Sequence, residues 1–319
     1  MRYYLAVIFP FFILLLLGPT LIRVLEFLNY GQQIRDEGPK SHLKKKGIPT
    51  MGGILIILAI LITALLILDL SSYIIWALII TIGMGLLGFL DDIIKIRSRR
   101  SLGLKAREKL IGQVLFALLL AVYVYLFTDL GTFVILPIKG GYINLGYWFF
   151  PFVIFTVVGT ANGVNLTDGL DGLASGVTLI VVSSLAVLIS ALGYGQLTLF
   201  ALIVAGACLG FIWYNSYPAQ VFMGDVGSLA LGGAVASLAV LSQTELFLLI
   251  IGGIYVVETL SVMIQVSYFR CTGGARLFKM SPLHHHYELA GLAESKVVAR
   301  FWILALIFAL MGLASFYVI

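Results

Sequence analysis

Charge is what this sequence has least of: Asp, Glu, Lys and Arg make up 11% of its 319 residues, where a water-soluble domain carries about a quarter. A chain so poor in charge cannot present a mostly solvated surface. Cysteine is scarce as well. Cys208 falls in an apolar run and Cys271 in a loop, too few and too far apart for a disulfide framework, so nothing argues for an oxidising compartment. A small-residue cleavage site is missing after the first apolar stretch, which is also too long for a removable leader. It therefore reads as a retained helix.

What fills the sequence instead is apolar residues, 61% of the total, arranged in runs of about 18 to 22 that are each long enough to cross a bilayer as a helix. The expected fold class is an all-α polytopic membrane protein, a single integral membrane domain over 1–319 with about ten transmembrane helices. The expected spans are 5–25, 53–70, 73–90, 110–128, 148–164, 173–192, 197–214, 227–241, 246–268 and 299–318.

Basic residues orient such a chain, because Lys and Arg concentrate in cytoplasmic loops. Loop 29–52 carries Arg35, Lys40, Lys44, Lys45 and Lys46; loop 91–109 carries Lys95, Arg97, Arg99, Arg100, Lys105, Arg107 and Lys109; loop 269–298 carries Arg270, Arg276, Lys279 and Lys296. All share one parity. The other side offers only Arg2 and Lys139, so both termini are expected outside. The net charge of +5 is then a topology signal, and a nucleic-acid partner has no support, since no recognition module accompanies it. The same parity puts the polar connections 165–172 and 215–226 on the cytoplasmic face. On the outer side, Val134–Ile138 and Tyr142–Leu145 flank Gly140-Gly141, which predicts a short β-hairpin.

Asp91 and Asp92 end the third expected span, and Lys95 lies one turn further along a continuing helix. A solvated helix end with a weak ion pair would explain them, but adjacent carboxylates also suit a hard cation or a base. In Asn165-Leu-Thr-Asp168-Gly-Leu-Asp171-Gly the acids are three apart and would share one helical face. Asn165 or Thr167 could merely cap a helix there, yet two acids at a membrane interface are costly unless something binds them. Gly224-Asp225-Val-Gly227-Ser228 is on its own an ordinary turn before a helix; Asp225 on the same face as the other acids would complete an oxygen-rich Mg²⁺ site. Phe222 either stacks on a base or anchors in lipid.

Ser281-Pro-Leu-His284-His285-His286-Tyr-Glu288 resembles a metal site, but consecutive helical residues splay about 100° apart and cannot all reach one ion. Donors to phosphate or ribose oxygens fit better. Most of the basic residues hold topology or meet anionic lipid. Lys45, close to Pro49-Thr50-Met51-Gly52-Gly53, and Lys95 and Lys109, which bracket the acidic loop, are the candidate phosphate clamps.

Taken in order, Asp91-Asp92-Ile-Ile-Lys95, Asn165-Leu-Thr-Asp168-Gly-Leu-Asp171-Gly, Gly224-Asp225-Val-Gly227-Ser228 and Pro282-Leu-His284-His285-His286-Tyr-Glu288-Leu resemble the polyprenyl-phosphate N-acetylhexosamine-1-phosphate transferases. The histidine segment points to the phospho-N-acetylmuramoyl-pentapeptide transferase branch, and the likeness runs from Ser41-His42 to the last loop. Gly47-Ile48-Pro49-Thr50 has Ile where the family usually has Thr.

The resemblance implies an enzyme of the bacterial inner (cytoplasmic) membrane that moves phospho-MurNAc-pentapeptide from UDP-MurNAc-pentapeptide to undecaprenyl phosphate. The products are lipid I and UMP, in the first membrane step of peptidoglycan and cell wall biosynthesis, with Mg²⁺ as cofactor and a homodimer as the assembly. It further implies Asp225 as the principal Mg²⁺ ligand and Asp91 and Asp92 as catalytic carboxylates near the lipid phosphate. Lys45, Lys95 and Lys109 become phosphate-handling positions. Thr50, Asn165, Leu166, Asp168, Asp171, Asn215, Phe222, Gly224 and Gln265 become substrate-binding, with His284, His285 and His286 toward the sugar and diphosphate. A transporter would instead place ionisable residues deep in its spans; Glu258 is the main residue of that kind here.

Overall fold

The computed structural model describes residues 1–28, 30, 45, 47–98, 103–137 and 140–317. The sequence readings at Arg35, Lys40, Ser41, His42, Lys44, Lys46, Arg99, Arg100, Ile138 and Lys139 lie outside the described residues. The elements in chain order are α1 (Arg2–Phe27), α2 (Gly53–Ile67), α3 (Ser72–Ser98), α4 (Ala106–Phe127), β1 (Phe133–Ile135), β2 (Tyr142–Asn144), α5 (Phe149–Thr167), α6 (Leu173–Ala191), α7 (Gly195–Asn215), α8 (Gly224–Leu241), α9 (Glu245–Ile251), α10 (Gly253–Cys271), α11 (Leu283–Leu289) and α12 (Glu294–Tyr317).

Each expected apolar run is helical, and among the described residues eight helices are long and apolar enough to cross a membrane. The chain is a multi-pass membrane protein. Two runs differ from the simple reading. α2 has 15 residues, about 22 Å at 1.5 Å per residue, against a hydrocarbon core of about 30 Å; the backbone turns extended at Leu68. The run 246–268 is broken: α9 and α10 meet at 78°, and they make a ninth span only if the bent pair counts as one. The break falls at Gly252-Gly253, where a Cβ on Gly253 would lie 2.6 Å from the Phe308 ring of α12, so only glycine lets the bend pack this closely.

The bundle is built around α8, which beyond its first turn is almost wholly apolar and is buried on every side from Val226 to Leu241, as a helix apolar all round must be. In its spanning window 89% of the residues are buried, against 28% in α1 and 33% in α4 and α12. Small residues let the neighbours in, as they do wherever membrane helices touch backbone to backbone. A Cβ on Gly53 of α2 would sit 2.1 Å from the Cα of Gly227, and one on Gly88 of α3 would sit 2.1 Å from the Asp225 carbonyl oxygen. These two contacts carry the start of α2 and the end of α3 onto the first turn of α8.

At the opposite end of α8 lies the expected hairpin. β1 and β2 pair antiparallel with Val134 opposite Ile143. The side chain of Gln243, in the α8–α9 turn, holds it by donating from Nε2 to the carbonyls of Leu130 and Phe133 at 3.1 and 3.0 Å.

Candidate active site

Asp91 and Asp92 stand on the last turns of α3, which continues past them to Ser98. Lys95 is therefore one turn on, as the spacing predicts, and its ammonium is shared: Nζ is 2.5 Å from Asp91 Oδ2, 3.1 Å from Asp225 Oδ2 and 3.6 Å from Asp92 Oδ1. Lys109, in the first turn of α4, reaches the same Asp225 Oδ2 at 2.8 Å. Asn165 Nδ2 donates to Asp225 Oδ1 at 3.0 Å and to Ser228 Oγ at 2.8 Å. Backbone donors complete the setting, since Leu104 N–H reaches Asp91 Oδ1 at 2.8 Å and Val226 N–H reaches Asp92 Oδ2 at 3.1 Å. Buried charges survive only when paired in this way.

Asp91, Asp92 and Asp225 each present one oxygen within 4.8 Å of the others. An all-oxygen donor set of that size fits a hard divalent cation. Gly224 opens the site: its φ is +72°, a backbone state glycine adopts at no steric cost. A Cβ there would lie 2.6 Å from Asp92 Oδ2 and 3.0 Å from Thr50 Oγ1, which puts Thr50 at the rim of the acidic cluster.

The segment 165–172 differs from the expectation of acids on one helical face. Asn165 and Thr167 close α5 and do not cap a new helix; Thr167 Oγ1 donates back to the Gly163 carbonyl at 2.7 Å. The residue that caps α6 is Gly172, with φ +78°. Asp168 and Asp171 thus sit in the turn between α5 and α6, outside any helix that would put them on one face, and they turn to different clusters. Asp168 is half-buried beside Asp225, Asp92 and Asp171, and desolvation and these like charges push its carboxyl up to about 8. Leu166, on the last turn of α5, is half-buried.

Asp171 turns the other way, into a second cluster. Its Oδ1 is 2.6 Å from Lys45 Nζ and its Oδ2 accepts from Ala219 N–H at 3.0 Å. Glu294, at the start of α12, takes the same Lys45 Nζ at 2.5 Å and the Asp171 N–H at 2.9 Å. Lys45 Nζ lies 6.0 Å from the ring centres of both Tyr217 and Phe222, within cation–π range. Asn215 is buried beneath them and holds the turns: Oδ1 accepts from Gly172 N–H at 3.1 Å and Nδ2 donates to the Val221 carbonyl at 2.9 Å.

The histidines lie on α11 and splay as consecutive helical residues must. His284 is fully buried, with Nδ1 3.1 Å from Glu258 Oε1; His285 Nδ1 is 2.9 Å from Glu288 Oε2; His286 Nδ1 accepts from Lys279 N–H at 3.1 Å. Gln265 grips the approach to this segment, with Oε1 accepting from Leu277 and Phe278 N–H at 3.1 and 2.9 Å and Nε2 donating to the Phe278 carbonyl at 3.1 Å. Glu294 and the backbone donors of Leu104 and Val226 escaped the sequence reading. Glu294 had a weak signal, an acid just before the expected span 299–318, which the dipole of a helix starting there would alone explain.

Residues 74–243 match the family model described as glycosyl transferase family 4, and residues 45–57 match phospho-N-acetylmuramoyl-pentapeptide-transferase signature 1. The chain is 50% identical to the phospho-N-acetylmuramoyl-pentapeptide-transferase of Desulforamulus reducens over 97% of this chain and 94% of that protein. It is 50% identical to the protein of the same name from a Geobacillus species over 97% and 96%, and 47% identical to that of Bacillus subtilis over 97% and 96%.

Proposed function

The chain belongs to the phospho-N-acetylmuramoyl-pentapeptide-transferase family, and from that premise we propose how its residues divide the work of moving phospho-MurNAc-pentapeptide from UDP-MurNAc-pentapeptide to undecaprenyl phosphate. The reaction yields lipid I and UMP for peptidoglycan synthesis. The observation that carries the division of labour is the meeting of Asp91, Asp92 and Asp225 within 4.8 Å, with Lys95 and Lys109 on the same Asp225 oxygen.

Phosphoryl transfer asks a protein mainly for positioning and charge neutralisation. Asp225, with Asp91 and Asp92, would hold Mg²⁺, which supplies Lewis-acid neutralisation of the diphosphate when bound. Lys95 and Lys109, which pair with Asp225, would meet the phosphate oxygens of the substrates. The acceptor phosphate monoester, with a second pKa of about 6, is already largely dianionic at neutral pH, so a strong base is unnecessary. Asp91 or Asp92 assists the attack on the β-phosphorus; in the alternative two-step route one of them is itself the nucleophile. Lys45, Asp171, Asn215 and Phe222 receive the nucleotide, with its base stacked on the Phe222 ring, while His285 and His286 lie toward the sugar and diphosphate.

One substrate is soluble and the other a lipid phosphate at headgroup level, so the site belongs at an interface. The basic loops favour the cytoplasmic side of a bacterial inner membrane with both termini outside, and family resemblance favours a homodimer. The test is to supply purified protein with Mg²⁺, undecaprenyl phosphate and either UDP-MurNAc-pentapeptide or UDP-GlcNAc, following UMP and lipid product. UMP and lipid I from the muramoyl donor alone, lost in a folded Asp225→Ala variant, support the assignment; activity only with UDP-GlcNAc or none with either overturns it.

A further inference from the structure

Glu258 is the main charged-type residue that the sequence places in the middle of an expected span, and phosphoryl transfer leaves it without a role. It lies on α10, completely buried. An intramembrane carboxyl is costly unless its oxygens are used, and here both are. Oε2 accepts from Leu283 N–H at 2.6 Å, and Oε1 accepts from His284 N–H at 3.3 Å and faces His284 Nδ1 at 3.1 Å. Leu283 and His284 open α11, so one carboxyl takes the first free backbone donors of that helix together with its first histidine.

With both oxygens already accepting from backbone, the hydrogen-bond network assigns the N–H between the two side chains to Nδ1. His284 Nε2 is buried and has no hydrogen-bond partner among the described residues. It is pressed against the turn that follows Asp168: a Cβ on Gly169 would lie 2.1 Å from it. The chain thus runs in direct contact from Glu258 through His284 to Gly169, and from there to Asp168 beside the acidic cluster.

We infer that Glu258 is a positioning residue: it sets the ring and tautomer of His284, and through that ring holds the Asp168-Gly169 turn in place for the nucleotide donor. The inference rests on the proposed function for its kinetic consequence but not for its structural one. Glu258→Gln keeps the size and replaces one acceptor with an amide donor that confronts N–H groups. Gly169→Ala attacks the same contact from the far side, through a Cβ that displaces the ring.

The experiment uses the full-length protein in nanodiscs. Hydrogen exchange is followed over 165–172 and 281–290, and donor and acceptor kinetics are measured in parallel. Both variants are expected to exchange faster in both segments with the rest of the bundle unchanged. Turnover should fall about 10–100-fold, the usual cost of removing a group that orients a functional side chain, with the KM for the nucleotide donor raised and that for the lipid acceptor unchanged. Faster exchange confined to 281–290, faster exchange throughout the bundle, or a fall in turnover with both KM values unchanged would overturn the inference. If Glu258→Gln does not fold, Gly169→Ala alone decides. The exchange arm needs no substrate, so wild-type protein inactive with the muramoyl donor would sink the functional reading while the exchange result still judged this one.

Discussion

Gly88 of α3 and Asp225 of α8 touch through their backbones: a Cβ on Gly88 would lie 2.1 Å from the Asp225 carbonyl oxygen. The contact lies one helical turn before Asp91 and Asp92, so the approach of the two helices at this point brings three carboxylates together. Gly88→Ala must push them apart, and overpacking of this kind costs about 1–3 kcal/mol. We expect a lower melting temperature and a turnover reduced at least tenfold, because the acidic cluster widens. A variant that melts lower yet turns over normally would show that the close approach serves stability alone.

Asp225 is neutralised by Lys95 and Lys109 together. A divalent cation must compete with those ammonium groups for the same oxygen, whereas substrate phosphate would need them. Lys109→Met is therefore expected to split two properties, with Mg²⁺ binding severalfold tighter, read from the Mg²⁺-dependent rise in melting temperature, and turnover lower. Weaker Mg²⁺ binding in this variant would contradict the competition.

Asp168 gives the stability a pH dependence. Its ordinary value is 3.8 and its folded value is raised to about 8, so between those values the folded state binds the proton more tightly than the unfolded state. Its contribution to stability is complete below about pH 4 and is lost as the pH rises through about 8. Without divalent cations, the melting temperature of Asp168→Asn is expected to exceed that of wild type by a margin that widens from pH 5 to pH 8. Parallel curves would place the group elsewhere.

Gln113 of α4 and Asn162 of α5 exchange side-chain hydrogen bonds at 2.8 and 3.4 Å. They lie one turn inward from Lys109 and Asn165 on the same faces, and so they fix the helix register that delivers both to Asp225. Asn162→Leu leaves the Gln113 amide without its partner away from water, at about 1–2 kcal/mol, whereas Gln113→Leu costs less because Asn162 Nδ2 keeps its bond to the Val158 carbonyl at 2.8 Å. The double variant is expected to melt higher than the sum of the singles predicts, with turnover still reduced. Additive melting shifts would show that the two amides act independently.

The apolar runs, the two-strand hairpin and the families of polar residues were all legible in one dimension, because periodicity and run length report solvent directly. Lys95 next to Asp91 follows from helical spacing alone. The sequence by itself therefore determined that this is a multi-pass helical membrane protein and which segments carry its polar clusters. Only the tertiary structure decided what those segments do to one another. The break at Gly252-Gly253 depends on Phe308 from a distant helix. Asp168 and Asp171 share no helical face because α5 ends at Thr167, just before them, which spacing cannot reveal. Glu294 and Glu258 find their partners 249 and 26 residues away. Such pairings follow from where helices come to rest, and that is settled by close contacts such as Gly53 on Gly227, to which local pattern is blind.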